Sequence, residues 1–259
     1  LSWSPNMRSA LFLLALASPL ASAQALIHVA ANSMLQLAPS AQVLEIERLH
    51  IGEHATLMVP ASVTEVRVSE LLLEPEGRIA IAASQQPFYL HVLQGEIATG
   101  AQITARGAPG TALKPAIAGR TLTVRLERVV TQSLLIDARG GTGSPGFNGL
   151  HGANGKPGGC LWGQSLSGAD GGDGSDGQTG AAGGKVRIEV PQDFPAEHIL
   201  TRLEGGSGGR AGEAGQGGAK AMDEGCWIYS AQGAKGGQAG RSGQAGLPGP
   251  DGSMDLVRF

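Results

Sequence analysis

Residues 24–138 carry short stretches in which apolar and polar residues alternate. Examples are Leu44-Glu45-Ile46, Thr56-Leu57-Met58-Val59, Glu65-Val66-Arg67-Val68, Arg78-Ile79-Ala80-Ile81, Gln102-Ile103-Thr104-Ala105 and Thr121-Leu122-Thr123-Val124-Arg125-Leu126. Turn-forming residues border several of them, such as Pro60, Ser69 and Gly77, and a period of two over so few residues predicts strands. Beyond residue 139 the pattern changes. Glycine falls on every third position in four runs, Gly140 to Gly158, Gly168 to Gly183, Gly206 to Gly218 and Gly237 to Gly252. A period of three is neither the 3.6 of an α-helix nor the 2 of a strand. It is the period of the polyproline II helix, a conformation without internal hydrogen bonds.

Two repeats organise the chain. In the first half, Leu49–Val59 aligns with Leu71–Ile81 at an offset of 22, and Leu57, Ile79, Ile103 and Val124 follow at intervals of 22, 24 and 21. Such spacing predicts a β-solenoid-like domain over residues 24–138, with a β-sandwich as the alternative. In the second half a predicted strand leads into a glycine run, a tip, a returning run and another strand, and the whole unit occurs twice. Its two copies place Cys160 and Cys226, and likewise Gly140 and Gly206, 66 residues apart. The expected fold class is therefore all-β plus polyproline II: the solenoid-like domain, then an antiparallel bundle of four glycine-rich polyproline-II helices over residues 139–259.

Glycine-only faces would let neighbouring backbones approach and satisfy each other's N–H and C=O groups. Collagen shares the triplet but carries more proline and longer runs in three chains. Here prolines inside the runs are few: Pro145, Pro157, Pro248 and Pro250. On this Gly-x-x phasing and out-and-back layout, the C-terminal half resembles the glycine-rich polyproline-II bundles of snow-flea-type antifreeze protein, of the distal adhesin of some phage tails and of the N-terminal domain of Obg-type GTPases. It is also collagen-like in the wider sense of glycine-rich exported bacterial proteins. Those relatives do unrelated things, so the resemblance implies architecture and leaves function open.

The N-terminus reads as an export signal. Met7-Arg8 precedes the apolar stretch Ala10–Leu16, and Ala21-Ser22-Ala23 fits a small-residue cleavage site. The expected signal peptide is 1–23, with 1–6 an upstream extension and Gln24 the first mature residue. No later segment is long and apolar enough to span a bilayer as a helix. Export makes the even pair Cys160 and Cys226 a candidate disulfide, with free or intermolecular thiols as the alternative. The localisation expected is periplasmic, cell-surface or extracellular.

Net charge is −3, so no global basic field exists for nucleic acid, and no nucleic-acid partner is expected. Candidate chemistry is sparse. Trp162 lies two residues after Cys160, and Trp227-Ile228-Tyr229 follows Cys226 directly. At predicted tips tied by a disulfide, these residues form a candidate binding surface, or else a small core capping the bundle end. Asp170, Asp173 and Asp176 share a face but would sit roughly 9 Å apart along a polyproline II helix, too far for one calcium ion. His50 and His54 read as strand and turn residues. No catalytic residue, metal site or cofactor is expected. The expectation is a non-enzymatic, monomeric adhesin or structural protein whose stiff projection presents an aromatic tip to a surface glycan or protein receptor. The alternatives are a trimeric collagen-like matrix protein, an ice-binding protein and a β-helix enzyme acting on polysaccharide.

Overall fold

The computed structural model describes residues 25–38 and 41–259; the expected signal peptide and Gln24 lie outside the described residues. In chain order the strands are β1 (Ala25–Val29), β2 (Met34–Gln36), β3 (Val43–Ile51), β4 (Thr56–Val59), β5 (Glu65–Leu73), β6 (Arg78–Ile81), β7 (Phe88–Ile97), β8 (Ala101–Thr104), β9 (Leu122–Thr131), β10 (Leu134–Asp137), β11 (Lys185–Val190), β12 (Ile199–Arg202), β13 (Glu224–Gly225), β14 (Ser230–Ala231) and β15 (Ser253–Arg258). Among the described residues these make one seven-stranded sheet, β1-β3-β5-β7-β9-β11-β15, one six-stranded sheet, β12-β10-β8-β6-β4-β2, and a separate two-stranded pair, β13-β14. Every pairing within the two large sheets is parallel, which removes the antiparallel sandwich. Their successive strands alternate between the two, so each turn of the chain lays its strands on those of the turn before.

The expected fold class is corrected here. The strands beyond residue 138 are not anchors of a separate bundle of four polyproline-II helices. β11, β12 and β15 extend the same two parallel sheets, and no helix is assigned over the glycine runs, which are loops between those strands. The reason is physical: Val186, Ile188 and Val190 alternate inward and are buried, so they continue the stack below them.

Strands β3, β5, β7 and β9 each turn a corner. In β5 the inward positions are Val66 and Val68, then Leu71 and Leu73, a shift of phase by one residue. The same shift separates Leu126 from Val129 in β9. Register stacks Ile51, Leu73, Ile97 and Thr131 in one column and Ile46, Val68, Val92 and Leu126 in another. The offset of 22 that aligns Leu49 with Leu71 and Leu57 with Ile79 is this register. Val124 departs from the interval series: it pairs with Leu90 and Ile188 in the larger sheet, whereas Ile103 is continued by Ile136. A further column marks the tight turns, where Asn32, His54 and Glu76 take φ of 55°, 54° and 55°, and Gly100 follows at 75°. Left-handed backbone is costly for residues with a Cβ, and each of the first three is held by its N–H donating to the next turn, as from His54 to the Pro75 carbonyl at 3.1 Å.

At one corner the connections lengthen along the stack. They run over residues 60–64, 82–87, 105–121, 138–184 and 203–252. Arg120, 1 % exposed, closes the third connection by donating to the carbonyls of Val63 at 2.7 Å and Gln86 at 2.8 Å in the two before it. At the root of the fourth, Asp137 is buried and accepts from Arg106 at 2.5 Å and Arg139 at 2.9 Å. Burial alone would raise its pKa, but the bonds from Arg139 and Arg106 outweigh that and hold the carboxyl below the ordinary range.

The two longest connections fold into four glycine-rich arms bonded to one another. Gly146 N–H donates to the Arg210 carbonyl, Ser175 N–H to Phe147, Gly212 N–H to Ser175 and Gly243 N–H to Gly212, at 2.8–3.0 Å, and the pattern recurs every three residues. Close approach requires the glycines. A Cβ on Gly212 would lie 2.0 Å from the Phe147 carbonyl oxygen. Side chains finish the network. Asp170, Asp173 and Asp176 each accept a backbone N–H, from Gln238, Arg241 and Gln244, at 2.7 Å. Asn148, His151 and Asn154 do the same for Glu213, Gln216 and Ala219 at 2.9 Å.

Candidate binding site at the disulfide-tied tip

Each long connection reverses direction away from the sheets. The first reversal is closed by the bridge between Lys156 and Leu166. The second is closed by the bridge between Ala221 and Ala234 and by the antiparallel pair β13–β14, which places Trp227, Ile228 and Tyr229 in the turn between Gly225 and Ser230. Cys160 and Cys226 are joined by a disulfide, with Cα atoms 5.6 Å apart. The bond brings the two reversals together. Tyr229 completes the link, its hydroxyl donating to the Cys160 carbonyl while its own carbonyl accepts from Cys226 N–H at 2.7 Å.

The four residues singled out in the sequence all lie within three positions of this bond, and they are exposed. Trp162 is 89 % exposed, Trp227 100 %, Ile228 88 % and Tyr229 51 %. A small core would bury the two indoles, and here both face solvent. Leu161, Leu166 and Met222 add further exposed apolar surface. Beside them opens a groove of about 450 Å³ whose side chains are Gln164, Ser165, Tyr229, Ser230, Ala231 and Gln232 over a floor of Gly158, Gly159 and Gly163. No charged residue lines it. Hydroxyls and amides both donate and accept, and an aromatic face beside them offers a stacking platform.

Sequence reasoning missed the groove. Gln164 and Gln232 are 68 positions apart, and only the disulfide and the arm pairing make them neighbours. Leu161 and Leu166 did carry a signal, as apolar residues in a stretch between glycine runs.

No group of three or more His, Cys, Asp or Glu placed to hold a metal occurs among the described residues. The Asp170, Asp173 and Asp176 carboxylates are engaged with backbone N–H groups of the fourth arm. Among the described residues no helix is long and apolar enough to cross a membrane. No protein-family model matches this chain, and no similar protein was found among curated proteins or solved structures.

Proposed function

We propose that this protein is an exported, non-catalytic binding protein whose glycine arms carry an aromatic tip to a saccharide on a surface or in a matrix. The observation that carries the reading is the full exposure of Trp227 and near-full exposure of Trp162 at an end pinned by a disulfide. Exposed clusters of large apolar side chains on soluble domains mark contact surfaces, and aromatic faces bind pyranose rings by stacking. The uncharged groove beside them supports a neutral sugar rather than an anionic one. The disulfide supports an oxidising compartment. Exposed aliphatic neighbours, Leu161, Ile228 and Met222, favour a protein receptor as the second reading.

Binding of the mature, disulfide-bonded protein to a broad glycan array tests this, beside a Trp162→Ala/Trp227→Ala variant. Neutral glycans are expected to be retained by the wild type and lost by the variant, with circular dichroism unchanged. A wild type silent on the whole array overturns the saccharide reading.

A further inference from the structure

The two histidines His28 and His50 lie far from the tip, paired in register on β1 and β3. We propose that they form a two-imidazole chelating site for a divalent transition metal of tetragonal preference, copper(II) or nickel(II).

Three features of the pair carry the proposal. First, the same nitrogen of each ring faces the other: Nδ1 of His28 is 3.0 Å from Nδ1 of His50. Second, the other nitrogen of His50 is occupied. Its Nε2 lies 2.7 Å from Oε1 of Glu74, and Oε2 of the same carboxylate accepts the Glu53 N–H at 2.9 Å. A carboxylate only accepts, so Nε2 is the protonated nitrogen and the neutral ring keeps its lone pair on Nδ1, aimed at His28. A carboxylate behind an imidazole is the usual support of a metal-bound histidine, fixing its tautomer and raising its basicity.

Third, the distances fit a shared ion. With metal–nitrogen bonds of about 2.0–2.1 Å, two nitrogens 3.0 Å apart subtend about 94° at the metal. Tetrahedral zinc would ask for a separation of about 3.3 Å. An angle near 90° is the cis angle of the square-planar or tetragonal sites that copper(II) and nickel(II) prefer. The ring centroids are 4.5 Å apart with planes tilted by 55°, close to the spacing of about 4.8 Å that the paired strands impose. Both rings reach solvent, His50 with a side chain 28 % exposed, so water can complete the coordination. His54 is not part of the site, being engaged with Glu76 at 3.1 Å.

The test uses tag-free protein titrated with copper(II) and with nickel(II) by calorimetry, and electron paramagnetic resonance of the copper form. One equivalent of copper is expected, with nitrogen hyperfine structure from two imidazoles. Glu74→Gln should weaken binding about tenfold, the low end of the range for loss of a supporting carboxylate, and His28→Ala and His50→Ala should each weaken it by more than that. His91→Ala should leave it unchanged. None of the four substituted side chains is buried, so circular dichroism should stay constant across the set. Copper affinity in a His28→Ala/His50→Ala variant within twofold of wild type overturns the proposal, as does a copper spectrum lacking two imidazole nitrogens.

Discussion

In the sheets, Ile46, Val68, Val92 and Leu126 stack in register and exclude water with their side chains. In the glycine arms, Gly209 and Gly212 are buried without any side chain, and neighbouring segments meet through backbone N–H and C=O groups. Both regions solve one problem, how to lay successive turns of a chain on each other. The sheets draw on apolar burial at about 25 cal/mol per Å² and have a hydrogen-bonded ladder besides. The arms have little apolar area to bury, and ordering glycine costs more backbone entropy than ordering other residues. Their stability therefore rests on many small polar gains, on the sheets that fix both ends and on the disulfide at the tip. Tolerance to substitution should differ accordingly: volume matters in the sheets, and the presence of any Cβ matters in the arms.

The largest effect should come from the sheets. Phe88 is fully buried, and Phe88→Ala should cost about 3–5 kcal/mol. Denaturant melts should show that loss over the whole molecule, arms included, because the arms depend on the sheets for their ends. Gly212→Ala is the converse. Its methyl would collide with the Phe147 carbonyl, forcing apart bonds worth about 1 kcal/mol each. Hydrogen exchange should show arm amides losing about 2–3 kcal/mol of protection while the β5 and β7 amides keep theirs. Equal loss in both regions would sink the claim that they are stabilised separately.

A smaller effect should appear where the regions meet. The Asp137 carboxyl is held below its ordinary range by Arg139 and Arg106 after burial is overcome. A depressed pKa adds stability above the unfolded value of about 3.9, which is lost as pH falls through the folded value. Wild type should therefore exceed Asp137→Asn in stability at pH 6, and the gap should close progressively in acid below pH 4. A gap independent of pH would show that shape, not charge, matters at that root.

The sequence displayed some of this more openly than the rest. Alternation located most strands of the sheets, and the triplets located the glycine arms, because a side-chain period is a local property. The two cysteines were legible as a pair, and the tip residues followed from their neighbours. Pairing partners were not legible. Val124 follows Ile103 at an interval like the others only because residues 105–121 are inserted between the two sheets' strands. The strands flanking the arms looked like local anchors, since nothing in Lys185–Val190 says that its register partners are Leu122–Arg125. Among the arms themselves, identical triplets hold no information on which arm lies beside which. The ladder of Asp170, Asp173 and Asp176 was visible as a spacing, but its acceptor role needs the fourth arm. The groove with Gln164 and Gln232 was hidden for the same reason.

The lengthening connections at one corner have a consequence for how this chain can vary. Contacts between arms recur every three residues, and each arm touches others from a different loop. A deletion of one or two residues in any arm would set side chains where neighbours demand glycine. A change of three residues confined to one arm would leave its tip out of step with the other reversal and pull Cys160 away from Cys226. Length can thus drift only in whole triplets and only in all four arms together. The reach of the tip is quantised in steps of one triplet, and two separate stretches of coding sequence must change in concert for it to move.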